Sequence, residues 1–224
     1  MSKYLELFKG EVGDLTEKTK LENKPYVAYS TKEGKVVYTV VPEEPTSTYQ
    51  MVDLGLPSGL KWATCNVGAT TSEEYGDYYA WGETTTKTEY TGENYTLYEQ
   101  ELGDISGNPT YDVARANWGS TWRMPTKEEM EELANNCTWT WTTQNGVNGY
   151  TVTGSNGSSI FLPAAGSYYI SVDFAGWNGY YWSSTPYETT YDDAFAYRIF
   201  FGLDSHDVNG ISRSHGNTVR PVSD

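Results

Sequence analysis

The chain is poor in the features that usually narrow a protein's chemistry. It has only two cysteines and two histidines in 224 residues. Cys65 and Cys137 lie far apart and in no C-x-x-C pair, so no disulfide framework is expected, and two buried thiols are favoured over a bridge. Positive charge is also scarce: 15 Lys and Arg stand against 30 Asp and Glu, for a net charge of -15. Such a chain repels nucleic-acid phosphates and anionic lipid surfaces, so neither a nucleic-acid partner nor membrane insertion is expected. No apolar run approaches spanning length. The opening stretch MSKYLELFKGEVGDLTEK has no apolar centre, so no secretory signal is expected there. Neither G-x-S-x-G nor H-E-x-x-H occurs.

Aromatics and turn residues are abundant. Eight Trp and 20 Tyr supply a core, and 22 Gly with many Thr and Ser favour strands and turns over helix. The expected class is α+β, with mixed or antiparallel strands, few short helices and long loops. KPYVAYS and KVVYTVV, joined by residues 31–34, read as a hairpin. A lone hairpin is marginal in water, so residues 1–41 are expected to form a small module for attachment or oligomerisation, or else to extend the main sheet. Residues 42–50, around VPEEPTST, read as a linker, and residues 51–224 as the main domain.

Within that domain MVDLGLPSGLKWATCNVGA suggests short strands about a tight turn, and residues 74–100 a strand followed by a long loop. Residues 110–119 can hold a short helix. The better helix spans 126–136, where Thr126 and Glu129 form a capping box and Met130, Leu133, Ala134 and Cys137 share one face. Glu128, Glu129, Glu131 and Glu132 read as a solvated face, favourable near a helix start, rather than as a metal or catalytic site. Cys137, Trp139 and Trp141 alternate with threonines, a half-buried strand. NGVNG and SNG are turns, and SSIFLPAAG and GYYWSS are strands.

One segment departs from the rest. Between Thr189 and Val219 there is no Lys, Glu, Gln, Met or Trp, where the overall composition leads one to expect roughly six. What remains is aromatics and short polar groups, the palette of a recognition surface. In AYRIFFG, Arg198 needs solvent, which places Arg198 and Phe200 on one face and Tyr197, Ile199 and Phe201 on the other. Phe200 is then an apolar ring on a polar face. Ala196, Ile199, Phe201 and Val208 are assigned to the scaffold. The candidate contact residues within 187–215 are Tyr187, Thr189, Tyr191, Asp193, Phe195, Arg198, Phe200, Asp204, Ser205, Asp207, Asn209, Ile211, Ser212 and His215.

WRMPTKEEMEEL, IFLPAAG, YYWSS and the closing R-x-x-G-x-x-VRPV, with the VDLGLPSGLKWATCNVGA opening, carry a family resemblance over residues 51–222. They resemble bacterial domains with a C-type-lectin-like fold related to the formylglycine-generating enzyme and to the Fibrobacter succinogenes major paralogous domains. More narrowly, they resemble the variable proteins of diversity-generating retroelements in gut bacteria and their phages. In that family, mutable AAC and AAT codons become NNC or NNT codons, which cannot encode Lys, Glu, Gln, Met or Trp. Those five are the types missing from residues 189–219.

The resemblance implies a binding protein rather than an enzyme, displayed on a phage tail or a cell surface and directed at a cell-surface protein or glycan. Homotrimers are what phage-tail relatives suggest. The parent fold includes an oxidase that uses closely placed cysteines, a pair this sequence does not show. No cofactor is expected. The alternative is a calcium-dependent lectin, since DSHDVNG at residues 204–210 offers oxygen ligands and a glycine turn but lacks the downstream Glu of an EF-hand.

Overall fold

Two-residue alternation and glycine turns shape this chain more than helix propensity does. The computed structural model describes residues 26–30, 36–40, 49–98, 100–119, 121–187 and 194–224. The chain divides into two compact units, Met1–Thr46 and Ser47–Asp224. In the first, β1 (Tyr26–Ser30) and β2 (Val36–Val40) pair antiparallel, with Tyr26 opposite Val40 and Ser30 opposite Val36. The turn expected at 31–34 lies outside the described residues.

The second unit is built from short antiparallel sheets. β3 (Met51–Asp53) and β4 (Lys61–Ala63) pair, and β13 (Val222–Ser223) joins the far side of β4. After the helices α1 (Val113–Trp118) and α2 (Lys127–Asn136) comes a meander of β5 (Thr138–Gln144), β6 (Val147–Thr153) and β7 (Ser159–Pro163). A two-residue pair follows, β8 (Ser167–Tyr168) with β9 (Val172–Asp173). A second meander then comprises β10 (Gly179–Tyr187), β11 (Phe195–Gly202) and β12 (Ser205–Ser212). Parallel contacts among the described residues are single bridges, Gly166 with Gly179 and Tyr181 with Thr218. The unit is therefore mostly sheet with few short helices.

Local chemistry explains these elements. Thr126 Oγ1 accepts the Glu129 N–H at 3.3 Å and Glu129 accepts the Thr126 N–H at 2.8 Å, the reciprocal cap that starts α2. Met130 and Leu133 are fully buried, and Ala134 and Cys137 pack partly against the same core. Two of the helix glutamates do more than solvate it. Glu129 also holds Arg123, which reaches on to Asp224, and Glu132 accepts both the N–H and the hydroxyl of Ser58. The NGVNG turn is tighter than expected. Only Asn145 and Gly146 lie outside the strands, at φ of 50° and 84°, and Val147 already pairs with Gln144.

Residues 74–100 differ from expectation, with no named strand among the described residues. They hold a 3-10 turn at Gly92–Asn94 and a single bridge from Tyr79 to Asn217. Their aromatics turn inward one by one, with Tyr79, Trp81, Tyr90 and Tyr95 buried. Polar tips then reach backbone carbonyls: the Trp81 indole donates to Ser183 and the Tyr95 hydroxyl to Trp81, each at 2.8 Å. Side chains do the work a sheet ladder would otherwise do.

Two core clusters meet along β10 and β11. One gathers Trp62, Met130, Leu133, Tyr181, Ile199 and Phe201; the other gathers Trp81, Trp118, Trp122, Trp182 and Ala196. The C-terminal VRPV stretch threads between sheets, with Val219 and Val222 fully buried. Arg220, only 1% exposed, donates to the carbonyls of Ala63 (3.0 Å) and Phe161 (2.9 Å) and to Asn66 Oδ1 (2.8 Å). Burial pushes its guanidinium below the usual arginine value.

Candidate functional site

The β10–β11–β12 sheet positions the segment singled out by composition. Arg198 pairs across to Trp182 on one side and Asn209 on the other; Phe200 pairs with Tyr180 and Asp207. Directly paired residues share a face, so Tyr180, Trp182, Ala196, Arg198, Phe200, Asp207, Asn209 and Ile211 lie on one side of the sheet. Trp182 and Ala196 are fully buried there with Ile211 packed against their cluster, and Arg198, Phe200, Asp207 and Asn209 stay at least partly open. The Arg198 guanidinium lies 4.4 Å from the Tyr180 ring and 5.8 Å from that of Phe200, and the two rings are 5.2 Å apart. Burial pushes Arg198 down to about 10, against a smaller opposing influence of Tyr180.

The opposite face meets α2. Ile199 and Phe201 are buried there, and Val208 packs partly against them. His206 stacks on Trp139 at 4.5 Å, with Nε2 3.3 Å from the Ala134 carbonyl oxygen. Tyr187 also belongs to this face; it pairs with Phe195, its ring lies 4.8 Å from that of Tyr197, and it covers Gly210.

The candidate contact residues therefore divide. Arg198, Phe200, Asp207, Asn209 and Ile211 come together on the outer face, joined at its end by His215. Tyr187, Phe195 and Ser212 belong to the α2 side, where Phe195 and Ser212 are half-buried. Asp204 and Ser205 sit exposed at the β11–β12 turn. Thr189, Tyr191 and Asp193 lie outside the described residues. The scaffold assignment is met at Ala196, Ile199 and Phe201, all at most 2% exposed, and Val208 is half-buried. Ala196 reaches the core from the Arg198 face, because β11 runs between both clusters.

The DSHDVNG stretch is not a loop. Leu203 and Asp204 make the turn, and Ser205 to Gly210 are strand β12, so successive side chains point to opposite faces. Among the described residues no group of three or more His, Cys, Asp and Glu stands together to hold a metal ion. Both cysteines are free, Cys65 buried and Cys137 half-buried, and burial raises each thiol above its usual value, against thiolate formation.

An exposed apolar stretch that sequence reasoning passed over runs through residues 169–178, around β9. Tyr169, Ile170, Val172, Phe174 and Trp177 are all exposed, Trp177 at 72%. The loop is held from several sides: the Phe174 carbonyl accepts the N–H groups of Trp177 and Asn178, Gly176 N–H donates to Ala164, and Asn148 Nδ2 donates to Gly176. Phe174 has φ of 60°, a left-handed conformation costly for a bulky residue. Between this loop and the outer face lies a cavity of about 350 Å³, lined by Ser167, Tyr169, Asp173 and Phe174 on one side and Tyr180, Arg198, Ile211 and His215 on the other. The His215 ring lies 5.9 Å from Tyr169; burial first and Arg198 second lower its pKa below 6.5. The missed signal was a dense, aperiodic apolar run (YYISVDFAGW), whose exposure no pattern reveals.

No helix among the described residues is long and apolar enough to cross a membrane. No family model matches the chain, and neither a curated protein nor a solved structure matches it.

Proposed function

We propose that this chain is a ligand-binding protein with a C-type-lectin-like scaffold, on which the outer face of β10–β11–β12 displays a retroelement-diversified surface. The observation that supports this most is the division of labour within a single strand. On β11, Ala196, Ile199 and Phe201 are buried while Arg198 and Phe200 are only half-buried. The accessible set, with Asp207 and Asn209 from β12, lies inside the segment lacking Lys, Glu, Gln, Met and Trp. Such a surface can change its side chains without changing its backbone, as a selected binding face requires.

The role is non-catalytic attachment, in the manner of a phage tail receptor-binding protein meeting a cell-surface protein or glycan. Aromatic side chains act as anchors, and Asp, Asn, Ser and Arg set polarity. The decisive experiment is to sequence the complete source genome around this gene. A near-copy of the DNA for residues 189–219, differing at adenines and lying beside a reverse transcriptase gene, is the expected result. A complete genome without such a copy overturns the diversification.

A further inference from the structure

Arg198 is placed unlike its counterparts. Arg123 is paired with two carboxylates, Arg213 donates to the carbonyls of Phe195 and Gln100, and Arg220 gives three hydrogen bonds. Arg198 makes one long bond, Nε to Asn209 Oδ1 at 3.4 Å, and among the described residues it has no carboxylate partner. In a chain with twice as many acids as bases this is unexpected. Among the described residues its terminal N–H groups have no protein acceptor, so they are open to a ligand that enters the cavity Arg198 lines.

The surroundings specify what completes it. The Tyr180 and Phe200 rings flank the guanidinium, and Arg198 lines the cavity beside them. A planar fork matches a carboxylate through two parallel hydrogen bonds. Across the cavity Tyr169 and Phe174 present aromatic walls, and the loop carrying them is already pinned to Ala164 and Asn148. His215 lines the same space and is held toward its neutral form, so it adds no second positive charge. Asp173 stands on the rim, and the molecule as a whole carries -15. One cation in such a field suits a single negative charge and disfavours a dianionic phosphate.

We propose that this cavity is a carboxylate subsite, in which Arg198 takes a monoanionic carboxylate and Tyr169 and Phe174 enclose the ring or apolar body that carries it. This rests on the outer face being a ligand-binding surface, and adds the chemical class of what it takes. Two probes present that chemistry from different sources: glucuronate, a sugar acid, and N-acetylphenylalanine, an aromatic amino-acid carboxylate.

The test is NMR titration of the full chain with each probe, beside glucose and N-acetylphenylalanine amide as uncharged controls. Saturable shifts with at least one acid, at a Kd of about 1 mM or tighter, and at least tenfold weaker binding of its uncharged control are expected. Arg198→Gln should weaken acid binding tenfold or more. Phe174→Ala, at an exposed rim position, should weaken it severalfold with an unchanged melting temperature, so a loss at Arg198 is not left to misfolding. Shifts by glucuronate alone identify a sugar acid, and shifts by N-acetylphenylalanine alone an amino-acid carboxylate; either supports the subsite. Equal binding of acids and controls, no binding of either acid, or undiminished binding by folded Arg198→Gln overturns it. The genomic test of diversification is independent of each of these outcomes.

Discussion

At the scale of the residue, a buried Arg220 and a half-buried His215 carry predictions of different kinds. Arg220 gives its donors to three fixed oxygens from two distant parts of the chain. A lysine cannot reproduce that fork and would leave at least one buried acceptor unpaired. Arg220→Lys is therefore expected to lower unfolding free energy by about 2–4 kcal/mol in urea denaturation. A change within about 0.5 kcal/mol would contradict the role given to the guanidinium. His215 predicts a pH dependence. Its folded pKa lies below 6.5, so the unfolded state takes up a proton first as pH falls. The stability present above pH 6.5 should drain away as pH drops through the lower folded value, with Arg198 and the Tyr169 ring as the neighbours concerned. Melting temperatures measured from pH 7.5 to 5 should show a steeper fall for the native chain than for His215→Asn. Parallel curves would remove His215 as the cause.

At the scale of the element, strands and helix were legible where one local rule governed. The capping box, the Trp139–Trp141 alternation and the glycine turns each depend on a few neighbouring residues, and each appears in place. Residues 74–100 were misread because their tyrosines and tryptophans bond to carbonyls far along the chain. DSHDVNG suggested a glycine turn because its polar residues hide a strand whose register is set by β11. Close approach also limits what β10 tolerates. A β-carbon at Gly179 would lie 2.1 Å from Phe201 Cζ, far inside contact distance. Gly179→Ala should cost about 1–3 kcal/mol by overpacking, read as a lowered denaturation midpoint with an unchanged slope. Full stability in that variant would show that β10 and β11 can move apart.

At the scale of the whole molecule, the separation of scaffold from display makes the strongest demand. Phe200→Ser, Asp207→Asn and Asn209→Ser combined should lower the denaturation midpoint less than either core truncation on β11, since Asp207 is exposed and Phe200 and Asn209 are half-buried. Ile199→Ala or Phe201→Ala, on the same strand, should each cost about 2–5 kcal/mol, because they empty a fully packed core. Comparable losses in both sets would mean that the outer face is structural.

The sequence by itself determined the class of the fold, the helix caps, most strands and the segment whose residue types are restricted, because these follow from neighbour chemistry and composition. It also placed Arg198 and Phe200 on one face by alternation alone. Alternation also sets Phe195 with Tyr197, whereas only the tertiary structure decided that Tyr187 and Ser212 join that face, since their place depends on pairing across strands. Only the tertiary structure brought Tyr169 and Phe174 to the edge of Arg198. That meeting depends on contacts of the 174–178 turn with Ala164 and Asn148, which no local pattern encodes.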